Sequence, residues 1–146
     1  MRFPSREIGV VLLLASGGLI ASGCGDGVAA TPEHVIHVSE RDFVIHAPAT
    51  VAPGPARIVV ANDGPDRHEL ILVRLPKHGI PLRSDGVTLD EDALESMTLG
   101  AVEAGDPGQR QQFDVRLRPG RYLLFCNTDG HFMGGMRAVL VVRSSA

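Results

Sequence analysis

Residues 120–136 read GRYLLFCNTDGHFMGGM: a short apolar run ending in Cys126, then a glycine-rich loop that carries His131 and Met136. Pro119-Gly120 is a turn signal, and 121–126 (RYLLFC) reads as the strand it opens. Downstream, 137–142 (RAVLVV) is a second β-branched run. Upstream, 111–117 (QQFDVRL) alternates cleanly, with Phe113, Val115 and Leu117 on one face and Asp114 and Arg116 on the other. Working back further, 68–75 (HELILVRL) follows the dense turn Asn62-Asp63-Gly64-Pro65. Before it come 57–61 (RIVVA), 42–46 (DFVIH) and 34–38 (HVIHV). Several short strands with turn residues between them predict an all-β sandwich.

The composition agrees. Seventeen Gly and ten Pro in 146 residues leave little room for long helices. The exception is 88–99 (TLDEDALESMTL), where Leu89, Ala93 and Met97 recur every four residues. Thr88 is placed to cap it, Asp90, Glu91 and Asp92 suit the first turn, and Gly100 reads as a stop. This predicts a short helix with a core-facing stripe in an insertion between strands. The chain has no Trp, one Tyr and a net charge of −3, with Lys77 its one lysine. It therefore offers neither a stacking platform nor a basic patch for nucleic acid.

Cys126, His131, Met136 and His68 carry the chemistry. A thiolate and two imidazoles suit copper in both oxidation states, and a thioether binds it weakly enough not to force a square plane. A loop that leaves one strand end and returns to the next aims three side chains at one point, and His68 adds a fourth from a neighbouring strand. Zinc in a structural site takes four strong ligands, for which this set is poor. No His-x-His pair is present for an oxygen-reducing cluster, and a binuclear copper loop needs a second Cys. The alternatives for Cys126 are a disulfide with Cys24 and a Cys–His nucleophile; the latter lacks a helix N-terminus to lower its pKa. Met133 rivals Met136 as the axial donor. His34, His37 and His46 read as ordinary surface histidines, since His34 and His37 point to opposite faces of a strand. His78 lies in the insertion.

The motifs N-x-G-x-x-x-H over Asn62–His68 and Y-x-x-x-C-x-x-x-x-H-x-x-x-x-M over Tyr122–Met136 resemble those of the cupredoxin family, the plastocyanin, azurin and rusticyanin type of blue copper protein. The resemblance spans about residues 33–143. It implies a Greek-key β-sandwich and one copper held by His68, Cys126, His131 and Met136. The common work of the family is single-electron transfer outside the cytoplasm, not catalysis. The same ligand set also suits a protein that buffers or delivers copper in the cell envelope, although exposed Met- and His-rich tracts are missing. Two departures stand out. Glu69 stands where many relatives have Asn, leaving Asn127 to brace the cysteine loop. Asp129-Gly130-His131 lacks the usual Pro, which leaves a backbone N–H able to bond the sulfur.

The N-terminus reads as an export signal. Arg2 and Arg6 precede the apolar run Ile8–Ile20, which is too short to span a bilayer. Ala21-Ser22-Gly23-Cys24 resembles a lipobox, with Ala21 where Leu is usual. This divides the chain into a leader (1–23), a tether (24–32) and the domain (33–143). It also predicts a monomer anchored by lipid on the outer side of the cytoplasmic membrane or in the periplasm, near membrane redox partners. Mass spectrometry of the native protein should find Cys24 as a lipidated N-terminus; an unmodified start elsewhere, such as Thr31, excludes the anchor.

Overall fold

The computed structural model describes residues 31–76, 79–84 and 89–144. The leader, Cys24, Lys77, His78 and Thr88 lie outside them. Among the described residues nine strands and one helix follow in order: β1 (His34–Arg41), β2 (Val44–His46), β3 (Thr50–Val51), β4 (Gly54–Asn62), β5 (His68–Arg74), α1 (Glu91–Glu95), β6 (Thr98–Gly105), β7 (Arg110–Leu117), β8 (Gly120–Phe125) and β9 (Arg137–Val142). They form two sheets with strand orders β2-β1-β4-β7 and β3-β9-β8-β5-β6. β1 runs parallel to β4, and β3 parallel to β9; the other pairings are antiparallel. The chain crosses between the sheets on either side of β3, between β4 and β5, and on either side of β7, so a β-sandwich closes around one core.

Period-two alternation builds that core. Ile36 and Val38 of β1 and Ile58 and Val60 of β4 face Leu70, Leu72, Tyr122, Leu124, Leu140 and Val142 of the second sheet. Strand β8 is buried on both faces. Tyr122 and Leu124 point into the sandwich. Leu123 and Phe125 point outward into a second cluster with Val73, Leu89, Leu94 and Phe132. The insertion thus covers the outer face of the second sheet, through Leu89 and Leu94 with Met97 partly buried beside them, Leu94 standing in the cluster where the four-residue repeat predicts Ala93. The Tyr122 hydroxyl donates to the Arg118 carbonyl (2.7 Å) and accepts from the Arg118 N–H (3.0 Å). This tyrosine corner pins the turn into β8.

The helix occupies a smaller part of 88–99 than its periodicity predicts. Asp90 is the N-cap, its side chain accepting from Ala93 N–H. At the other end, the Ser96 and Thr98 hydroxyls take the carbonyls of Ala93 and Leu94, so the helix stops at Glu95. Thr98 opens β6, a strand the sequence reading did not foresee. Gly100 is therefore not a stop signal. It lies within β6, where a Cβ would run into the Phe113 ring.

Glu40 breaks the apolar pattern. It lies inward on β1, 1% exposed, and its Oε1 has no hydrogen-bond partner among the described residues. Burial, and secondarily the charge of Glu69, push its pKa from 4.5 up to about 7. The folded state therefore holds this proton more tightly than the unfolded chain does. The resulting stability is complete below about pH 4.5 and is lost as the pH rises through about 7. Glu40→Gln should remove this pH dependence. Metal-free protein carrying it should gain on the order of 1–3 kcal/mol over wild type at pH 8, with no comparable gain at pH 4.5. Chemical denaturation at the two pH values checks this.

Candidate metal centre

Two loops at one end of the sandwich bring the donors together, and a third touches them. The first is the turn from β4 to β5. Asn62 organises it: its Oδ1 accepts from Gly64 N–H (2.9 Å), and its Nδ2 donates to the carbonyls of Asp66 (2.7 Å) and Gly105 (3.0 Å). This Asx turn ties the loop to the end of β6 and delivers His68, 1% exposed, as the first residue of β5.

The second loop is 126–136. Its ends are closed by Cys126 N–H donating to the Met136 carbonyl (3.1 Å), with Met136 N–H donating to the His131 carbonyl (2.9 Å). Inside, His131 N–H bonds the Thr128 carbonyl and Gly134 N–H that of Gly130. Phe132 fastens the loop to the sheet, edge-on to Phe125 at 5.6 Å and under the Arg137 guanidinium at 5.0 Å. The third is the β1–β2 turn, which contributes no donor but reaches both histidines.

The donor atoms converge. His68 Nδ1 lies 3.2 Å from His131 Nδ1, and Cys126 Sγ lies 3.5 Å from the same nitrogen. Ligand atoms of all three residues fall within 4.8 Å of one another, a cluster of two buried side chains and one half-buried. A metal ion sits about 2.0–2.3 Å from nitrogen or sulfur donors, so donors this close share one ion without rearranging. His68, Cys126 and His131 are positioned to ligate a metal, and a thiol with two imidazoles is a set that copper takes. Met136 is fully buried at the end of the same loop, whereas Met133 is 54% exposed.

The electrostatics favour the neutral forms of His68 and Cys126. Burial, with the neighbouring His131, holds the His68 pKa below its usual value, against the opposing pull of Asp42. Burial raises the Cys126 thiol, partly offset by its hydrogen bond with the Thr128 hydroxyl and by the backbone N–H groups of Glu69 and Thr128. Cys126 is a buried free thiol. Its sulfur is thus braced by the Glu69 backbone and by Thr128, 3.3 Å from Oγ1.

Asp42, Phe43 and Thr128 are the neighbours that sequence reasoning missed. Asp42 Oδ1 lies 3.2 Å from His68 Nε2, and the Phe43 ring stands edge-on to His131 at 5.4 Å. Thr128, two residues past Cys126 in a loop already singled out, was the one within reach of a local reading. Among the described residues, His34, His37 and His46 belong to no metal-sized cluster.

No protein-family model matches the sequence, and no curated protein is significantly similar to it. Solved structures are similar in three dimensions. Auracyanin B superposes with a TM-score of 0.62 at 20% identity, over 78% of this chain and 91% of that one. Auracyanin A, a "blue" copper protein from the green thermophilic photosynthetic bacterium Chloroflexus aurantiacus, gives 0.55 at 15% identity, over 75% and 98%. An azurin from the obligate methylotroph Methylomonas sp. strain J gives 0.55 at 14% identity, over 77% and 99%. At such identities the likeness is one of fold: this chain has the cupredoxin fold.

Proposed function

We propose that the protein is a mononuclear type 1 copper protein that carries single electrons between redox partners outside the cytoplasm, with His68, Cys126, His131 and Met136 holding the metal. The observation that carries this reading is the approach of His68 Nδ1, His131 Nδ1 and Cys126 Sγ to one point. Copper bound there supplies a Cu(I)/Cu(II) couple of one electron. The chain's own residues do the rest. Strands β5 and β8 and the closed loop hold the donors in place, so a change of charge meets little rearrangement. Burial of His68, Cys126 and Met136 excludes water. His131, half-buried in the loop, offers a ring edge toward the surface through which an electron passes. A single metal moving one electron at a time does not support multi-electron catalysis, so the protein is a carrier and not an enzyme. Lipidation of Cys24 would hold this monomer beside membrane-bound redox partners.

Met136 is the axial donor in this reading. Its burial within the loop that brings Cys126 and His131 together supports it over the exposed Met133. Storage or delivery of copper calls for an accessible site, and the burial of these donors speaks for electron carriage instead. Redox titration distinguishes the two: a carrier cycles reversibly and keeps its metal in both states.

Two expected outcomes test the ligands. Copper-loaded wild type should show an intense visible band from thiolate-to-copper charge transfer. Cys126→Ser should lose that band while the metal-free fold persists, because the hydroxyl is nearly isosteric with the thiol. A strongly coloured Ser variant removes Cys126 from the ligand set. For the axial position, Met136→Gln places a harder oxygen near copper and favours Cu(II). It should lower the reduction potential by one or two steps of about 59 mV, each a tenfold change in relative affinity. Met133→Gln should leave the potential nearly unchanged. The opposite result assigns the axial role to Met133.

A further inference from the structure

We propose that the turn between β1 and β2 is the outer shell of the metal site: Asp42 orients the ring of His68, and Phe43 orients and covers the ring of His131. This rests on the reading of His68 and His131 as ligands. The turn lies far from both ligand loops in sequence, Asp42 preceding His68 by 26 positions, yet consecutive residues in it touch both imidazoles. Nothing in the family motifs points to them.

The chemistry at His68 is specific. Nδ1 faces His131 Nδ1, and Nε2 faces Asp42 Oδ1 at 3.2 Å. A neutral imidazole carries one N–H. Placing it on Nε2 gives Asp42 a proton to accept and leaves Nδ1 bare for a metal. A carboxylate on the far nitrogen also makes a ligating imidazole a stronger donor. Stronger donation stabilises Cu(II) more than Cu(I), so Asp42 lowers the reduction potential.

Phe43 is held by neither its backbone preference nor its burial. It is the one non-glycine among the described residues with positive φ (59°), and it is 50% exposed. A bulky residue in the left-handed region is an outlier that points to a local role. The ring stands at 62° to that of His131, whose side chain is itself half-buried.

Two glycines give this turn its room, one in each ligand loop. A Cβ on Gly64 would lie 2.8 Å from His68 Nε2 and 3.0 Å from Asp42 Oδ1, inside their hydrogen bond. A Cβ on Gly134 would run into the Phe43 ring. Gly64 belongs to the Asn62–His68 motif, whose glycine is thereby explained by a contact across the sandwich edge as well as by its turn.

The test begins without metal. In metal-free wild type, nitrogen-15 NMR at pH 7.5 should find His68 as the Nε2–H tautomer, and Asp42→Ala should shift the population toward Nδ1–H. In copper-loaded protein, Asp42→Ala should weaken Cu(II) binding about 10- to 100-fold and Cu(I) binding less. The potential should rise by about 59 mV for each tenfold difference between the two. Asp42→Asn keeps an acceptor of the same size without the charge and should shift the potential in the same direction by less. Phe43→Ala should speed copper release to a chelator about tenfold, and Phe43→Tyr should retain the wild-type rate. Folded Asp42 variants with an unchanged tautomer and an unchanged potential overturn the role of Asp42. An unchanged release rate in Phe43→Ala overturns that of Phe43. A wild type that takes up copper without colour refutes the electron-carrier reading instead, and the metal-free tautomer still decides whether Asp42 sets the His68 ring.

Discussion

Strand β8 is hydrogen-bonded along both edges, and the metal centre depends on that. Its pairing with β5 sets Ile71 opposite Phe125, and its pairing with β9 sets Phe125 opposite Arg137. These registers bring the start of β5, the end of β8 and the start of β9 to the same edge of the sheet. His68, Cys126 and Met136 sit at those ends. A one-residue slip would turn every side chain of β8 to the opposite face. Tyr122 and Leu124 would exchange places with Leu123 and Phe125, and both hydrophobic clusters would lose their fit. Register and donor position are therefore protected by the same apolar contacts.

The burial of β8 on both faces explains the insertion. A strand paired on both edges in a two-layer sandwich normally shows one face to water. Here Val73, Leu123 and Phe125 need cover, and Leu89, Leu94 and Phe132 provide it. Phe132 belongs to the ligand loop, so the cluster that shields the sheet also anchors the loop beside His131. Packing and site geometry meet in one side chain.

The sandwich and the ligand loops were legible in the sequence because the signals are local: alternation in 111–117, an unbroken apolar run in 121–126, and donor types at short spacing in 126–136. The short helix was legible too, but its length was not. Ser96 and Thr98 end it through hydroxyl contacts with carbonyls one turn back, which leave little trace in hydrophobic periodicity. β6 was hidden for another reason. Its sequence TLGAVEAG has two glycines and only Val102 as a buried β-branched residue. It is a strand because β5 offers it an edge, not because of its own propensity. Asp42 and Phe43 escaped notice because their importance lies in contacts across the fold, and Phe43 adopts a backbone conformation that favours Gly or Asn.

The closure of the 126–136 loop by its own backbone has a consequence for how the protein meets its metal. Where a chain must be folded by the ion, as in a zinc finger, most of the binding free energy goes into ordering the polypeptide. Here Cys126, His131 and Met136 are tied to one another by backbone hydrogen bonds, and Phe132 of the same loop is packed into the outer hydrophobic cluster. A loop closed by such bonds would leave less of a metal's binding energy to be spent on ordering the chain. On the proposed copper reading, the ion would act on stability as a ligand of the native state, raising the unfolding free energy with the logarithm of its concentration over Kd.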